Sequence, residues 1–135
     1  GLAASTAYSW RVKAFNAVGS SGYSNFLAAT TPAQPAVPAA PTELQARAAR
    51  VGSKAQVSLN WLDNATNETG FRIERATSPD FTAGLTTFTI GTNTVFFSDT
   101  TTISNTTYYY RIFSVNAIGS SSPSNTAMPA RSATD

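Results

Sequence analysis

The stretch Thr6-Ala7-Tyr8-Ser9-Trp10-Arg11-Val12-Lys13-Ala14-Phe15-Asn16-Ala17-Val18-Gly19-Ser20-Ser21-Gly22-Tyr23-Ser24-Asn25 returns as Thr106-Thr107-Tyr108-Tyr109-Tyr110-Arg111-Ile112-Phe113-Ser114-Val115-Asn116-Ala117-Ile118-Gly119-Ser120-Ser121-Ser122-Pro123-Ser124-Asn125. The two copies align without a gap at an offset of 100, and 10 of their 20 positions are identical. Self-similarity at a fixed period marks a repeated structural unit. Each copy carries aromatic and branched residues, then breaks at Asn-Ala-x-Gly-Ser, which reads as strand, turn, strand. A period of 100 is about the length of one small two-sheet β-sandwich. Residues 1–31 therefore read as the last two strands of one repeat, and residues 41–130 as the whole of the next. Residues 131–135 read as a tail or the next linker.

Between the repeats, Thr31-Pro32-Ala33-Gln34-Pro35-Ala36-Val37-Pro38-Ala39-Ala40-Pro41 holds four prolines. Proline removes backbone donors and favours extended polyproline geometry, so residues 32–40 read as a semi-rigid linker. Beyond it the strands come at sandwich spacing. The first is expected near Glu43–Ala48, and the second over Gln56–Leu62, with Val57, Leu59 and Trp61 on one face. The third spans Gly70–Ala76, with Phe71, Ile73 and Arg75 on alternate positions. Thr86–Ile90 and Val95–Ser98 follow, then a long strand over Thr107–Asn116 and a last one near Asn125–Ala130. No stretch sustains a helical period. The class is all-β: a seven-stranded sandwich preceded by two strands of a second copy.

Three features together resemble the fibronectin type III family. Trp61 stands where that family has its core tryptophan. Thr106-x-Tyr108-x-Tyr110-Arg111-Ile112 is similar to its tyrosine corner, with Tyr8 and Trp10 in the matching places of the partial copy. Asn116-Ala117-Ile118-Gly119-Ser120 is similar to its turn into the last strand. The resemblance implies an immunoglobulin-like sandwich in which the corner tyrosine buries its ring and bonds a nearby backbone group. The Trp61–Arg75 segment looks like the loop of bacterial members. No Arg-Gly-Asp tripeptide occurs, so the integrin-binding role of some members is not implied.

Composition narrows the function classes. Hydrophobic residues make up 41% and charged residues 12%, and an aromatic share of 11% argues against disorder. A net charge of +2 with no basic cluster gives no nucleic-acid footprint. No apolar run approaches the roughly 20 residues that span a bilayer. The absence of cysteine and histidine removes disulfides, thiolate metal sites and the commonest acid–base group. No catalytic residue, cofactor or metal site is expected. Asp63 and Glu68, with Asn64 and Asn67, are the one acidic pair in a polar loop. Loop bracing is the favoured role there, ahead of calcium, since the spacing is not that of an EF-hand, and ahead of glycosidase-like catalysis, since a loop on a small sandwich offers no substrate cleft. Asn64-Ala65-Thr66, Asn67-Glu68-Thr69 and Asn105-Thr106-Thr107 match the glycosylation triplet, which arises readily in a chain rich in Asn and Thr.

The candidate partner surface is the outward face of the long strand. If Tyr108, Tyr110, Ile112 and Ser114 point inward, the period of two turns Tyr109, Arg111, Phe113 and Val115 outward. Beside Arg72 and Glu74, that row is a candidate for stacking on sugars or meeting a neighbouring domain; ordinary cross-strand pairing is the plainer alternative. Residues 1–34 pose a separate question, because a lone hairpin showing Tyr8, Trp10, Val12 and Ala14 is marginal in water. Three readings follow. The first is an extracellular or cell-surface spacer module of a larger tandem-repeat protein, with neighbouring domains as its partners. The second is a carbohydrate-binding accessory module meeting polysaccharide. The third is an assembly subunit whose residues 1–34 are completed by another chain.

Overall fold

In the computed structural model, residues 1–129 are described; Ala130 and the 131–135 tail lie outside them. The chain divides into two compact units, Gly1–Pro35 and Ala36–Asp135. In the first, β1 (Ala7–Trp10) pairs antiparallel with β2 (Leu27–Thr30), setting Trp10 opposite Leu27 and Tyr8 opposite Ala29.

The second unit places six strands in two sheets. They are β3 (Thr42–Val51), β4 (Lys54–Leu62), β5 (Gly70–Ala76), β6 (Thr86–Gly91), β7 (Phe96–Asp99) and β8 (Tyr109–Val115). One sheet runs β3-β4-β7 and the other β6-β5-β8. The β3–β4 hairpin extends past both expected boundaries. Val51 pairs Lys54 across a two-residue turn whose Gly52 takes a φ of 64°, a geometry glycine adopts freely. The Ala48-Ala49-Arg50 stretch hides this extension because it lacks hydrophobic alternation.

Alternation sets the core. Leu44, Val57, Leu59 and Trp61 from one sheet face Phe71, Ile73, Tyr108, Tyr110 and Ile112 from the other, all buried. Trp61 meets Phe71 edge-on at 5.7 Å between ring centroids. Each such ring or branched side chain stabilises the fold by roughly 1.5–3 kcal/mol through water exclusion.

The expected last strand near Asn125–Ala130 is a correction. Within the described residues that segment forms only isolated bridges, Tyr110 with Ala127 and, further back, Val115 with Ser120. Hydroxyls replace part of the ladder. Ser114 N donates to Ser121 Oγ and Ile112 N to Ser124 Oγ, both at 3.0 Å. The return bonds run from Ser121 N to the Ser114 carbonyl and from Ser124 N to the Ile112 carbonyl. Contacts thus recur every third residue, a spacing that a regular strand of period two cannot keep. Asn125 then acts as a backbone mimic. Its amide accepts from Leu44 N and donates to the Leu44 carbonyl, both at 2.9 Å, tying the edge to β3.

Candidate functional site

Tyr108 and Tyr8 build the same corner in the two units. Ile103 N donates to the Tyr108 hydroxyl at 3.3 Å, and Ala3 N donates to the Tyr8 hydroxyl at 2.9 Å, each five residues upstream. The turns match as well. Asn116 exchanges backbone bonds with Gly119, as Asn16 does with Gly19, and each Asn Oδ1 accepts from two amides of its turn. The sequence repeat is therefore a repeat of hydrogen-bond geometry.

The outward face of β8 and β5 brings the expected residues together. Glu74 lies between two arginines. Arg111 donates to its Oε2 through Nε and Nη2, both at 2.7 Å, and Arg72 Nε lies 3.2 Å from Oε1. Register places Glu74 directly opposite Arg111, and Arg72 opposite Phe113. Arg72 stacks 4.3 Å above the Phe113 ring, while Arg111 stacks 4.1 Å above Phe81 and 5.3 Å from Phe113. Under this cover Phe113 is 8% exposed and Glu74 8%. Arg72 also donates to Ser120 Oγ at 3.2 Å. Tyr109 stands half-buried at the end of the row, opposite Ala76. Phe81 was not among the sequence candidates, because nothing local places its loop over β8.

A second cluster links the sheets. Asp99, 1% exposed, ends β7 with its carboxylate inside the sandwich. Its Oδ2 accepts from Arg75 Nη1 at 2.7 Å and from the Tyr110 hydroxyl at 3.0 Å. Its Oδ1 accepts from the Thr101 amide at 2.9 Å and hydroxyl at 2.7 Å. Arg75 continues to Thr101 and Thr86 and stacks 4.7 Å from the Tyr108 ring. Burial pushes the Asp99 carboxyl up, but hydrogen bonds from Thr101, Arg75 and Tyr110 together hold it below the ordinary range. Burial, then the Asp99 charge, drives the Tyr110 hydroxyl far above its usual value, so it stays a proton donor to the carboxylate. Sequence reasoning missed this cluster although its signal was present: Arg75 shares the inward face of Phe71 and Ile73, and a buried guanidinium needs an acid.

The Asp63–Glu68 loop sends its acids to separate tasks. Asp63 Oδ1 accepts from Ala65 N at 2.9 Å. Glu68 Oε1 accepts from the Thr92 hydroxyl at 2.8 Å, which lowers its pKa, and from Asn93 N. Two of the three triplet asparagines hold the incoming chain. Asn64 donates to the Ala40 carbonyl, and Asn67 and Asn116 both donate to the Ala36 carbonyl. Pro38 and Pro41 are buried beside them.

Chemistry is sparse on this scaffold. Among the described residues no group of three or more acidic, His or Cys side chains could hold a metal. A groove of about 480 Å³ between the β3–β4 hairpin and the Thr102–Tyr108 corner has Arg50 as its one ionised lining residue. It supplies no acid–base pair.

No family model matches the chain, and neither does any curated protein. Solved structures do. A fibronectin type III-like protein from Clostridium thermocellum is 24% identical with a TM-score of 0.56, over 70% of this chain and 94% of its own. The FN1–FN3 domains of chicken CNTN1 are 20% identical with a TM-score of 0.58, over 96% of this chain and 45% of theirs. Pectate lyase Pel3 from Pectobacterium carotovorum is 22% identical with a TM-score of 0.52, over 67% of this chain and 27% of its own. The fold is thus an all-β sandwich of the fibronectin type III and immunoglobulin-like kind, with an extra two-stranded sheet before it.

Proposed function

We propose that this chain is a stretch of an extracellular tandem array whose sandwich modules space and display neighbouring domains. One observation carries the reading: corner, turn and serine-bonded edge recur at an offset of 100 in both units, down to the hydrogen-bond partners. Val12 N donates to Ser24 Oγ and Ala14 N to Ser21 Oγ, as Ile112 and Ser114 do with Ser124 and Ser121. Such modules serve by holding a fixed span between their ends, and the asparagine bonds to the Ala36 and Ala40 carbonyls support reading the proline-rich stretch as a linker seated on its module. Similarity to multidomain proteins supports the reading, and the extracellular placement is part of the proposal.

The test is an immunoblot of the source organism's secreted and surface fractions, with antibody raised against residues 36–135. A species several-fold larger than the 135-residue chain is expected. A sole species of the chain's own mass, or one confined to the cytoplasm, overturns the proposal.

A further inference from the structure

The two outward faces of the second unit are finished differently. On the β5–β8 face, Phe113 lies beneath Arg72 and Arg111, and both guanidiniums pair with Glu74. That residue is 8% exposed, so its ring has no free face to stack on a sugar. The outward face of β3-β4-β7 has no such cover. Register sets Gln45 opposite Asn60 and Asn60 opposite Phe96 in one row, then Arg47 opposite Ser58 and Ser58 opposite Ser98 in the next. Parity turns these residues away from the core, which takes Leu44, Val57, Leu59 and Trp61 from the same strands. Phe96 is 55% exposed.

Charge on this face has one sign. Arg47 is exposed, and so is Lys54, which stands opposite Val51 at the end of the same hairpin. Neither enters an ion pair or hydrogen bond among the described residues. The acid nearest on β3, Glu43, falls in the register shift between Thr42 and Gln45 with a φ of 56°, off the regular pleat. Asp99 of β7 points into the core, where Arg75 already pairs it. Arg47 and Phe96 stand two strands apart and one row displaced, roughly 12 Å by ordinary sheet spacings, with Ser58 and Asn60 of β4 between them. The floor there is low, since Ser58 and Ser98 are short, and Gln56 is tied down by donating to Ser98 Oγ. Because β4 is paired on both sides, a partner on this face meets side chains and not its backbone.

We propose that the outward face of β3-β4-β7 binds an acidic polysaccharide, a chain of uronic-acid residues. Each feature answers one part of such a chain. The Phe96 ring offers an apolar surface to the C–H face of a pyranose. Arg47 and Lys54 answer carboxylates that recur along the chain, and the planar fork of Arg47 takes one of them bidentately. The amides of Gln45 and Asn60 donate and accept, as sugar hydroxyls do. An acidic peptide matches the cations alone, since strand addition uses a sheet edge and not a face. Chain size decides the array reading and is silent on this face, so the two can fail separately.

The probes are short oligomers of galacturonate, mannuronate and glucuronate, titrated into the full chain and followed by amide and side-chain NMR. At least one is expected to shift the signals of Arg47, Ser58, Asn60 and Phe96 while those of β8 stay put. Its methyl ester, which keeps the sugar and removes the charge, binds about tenfold more weakly, the scale of two exposed ion pairs. Phe96→Ala weakens the acidic sugar about fivefold, the scale of one lost ring contact, and leaves the weaker binding of oligoglutamate unchanged. Arg47→Gln weakens both. Both substituted side chains lie outside the core, and an unchanged spectrum of the buried residues shows that each variant is folded. The proposal is overturned by no shift with any of the three oligomers, by shifts centred on β8, by an ester that binds as well as the acid, or by Phe96→Ala without effect. Oligoglutamate binding as tightly as the best sugar gives the face to an acidic protein and overturns it too.

Discussion

Replacing Asp99 with alanine tests whether the buried cluster latches the two sheets together. Asp99 accepts four hydrogen bonds from three residues, and its carboxylate is fully enclosed. Removing it strands the Arg75 guanidinium, whose side chain is 11% exposed, without its counter-charge. Taking one partner from a buried pair costs about 3–5 kcal/mol, because a desolvated charge is left behind. Arg75 keeps bonds to Thr101 and Thr86, and its stacking on Tyr108, so the lower half of that range applies. Tyr110→Phe removes one bond to a charged acceptor and costs about 1.5–3 kcal/mol. Asp99→Leu combined with Arg75→Met removes both charges but leaves the Tyr110 hydroxyl unpaired, and is expected to cost less than Asp99→Ala alone. Urea denaturation gives each value from the shift in midpoint at constant slope, followed by Trp61 fluorescence in a Trp10→Phe background. An Asp99→Ala cost below about 1 kcal/mol, or a double variant as unstable as the sum of its singles, refutes the latch.

Three further outcomes follow from the same structure. As pH falls, stability is expected to hold down to about pH 5 and then drop below about pH 4. Asp99 and Glu68 both have lowered folded-state pKa values, so their contribution is complete above the unfolded carboxylate range and lost beneath it. Urea midpoints between pH 7 and 2.5 check this, and Asp99→Asn flattens the drop. Gly70→Ala drives a Cβ into the Ile90 carbonyl oxygen and is expected to cost about 1–3 kcal/mol, read by thermal unfolding. Ser121→Ala leaves the buried Ser114 N–H without its acceptor, costs about 1–3 kcal/mol, and speeds hydrogen exchange at Ser114 selectively.

What could be read from the sequence was whatever alternation or local turn chemistry encodes. Val57, Leu59 and Trp61 declare an inward face by period two, and Tyr108, Tyr110, Ile112 and Ser114 do the same; all are buried. The corner bond of Tyr108 and the Asn116–Gly119 turn are satisfied within five residues of chain, so short-range pattern suffices. The remainder depends on residues far apart in sequence. Arg75 and Asp99 meet across 24 positions, and Asn125 reaches Leu44 across 81. The outward position of Phe113 was legible from parity, but its arginine cover needed the β5–β8 register and the path of the Phe81 loop.

The two copies of the hairpin separate two kinds of information. Four pairs of positions that stay the same, Tyr8 and Tyr108, Asn16 and Asn116, Ser21 and Ser121, Ser24 and Ser124, accept from backbone amides of their own copy, while the unchanged Arg111 and Asn125 reach Glu74 and Leu44 outside it. The bonds those four pairs accept close locally, so they are indifferent to what packs against the hairpin. Positions that change, Trp10 for Tyr110 on the inward row and Lys13 for Phe113 on the outward one, meet other strands in the second unit and so track the residues opposite them. Tyr110 is held by an acid buried on β7, and Phe113 by cations on β5 and β8. A hairpin with Trp10 and Lys13 in those places has neither the hydroxyl that the acid accepts from nor the ring that the cations cover. The shared framework accounts for the matching geometry of the two hairpins, while these few substitutions change what each presents to the strands around it.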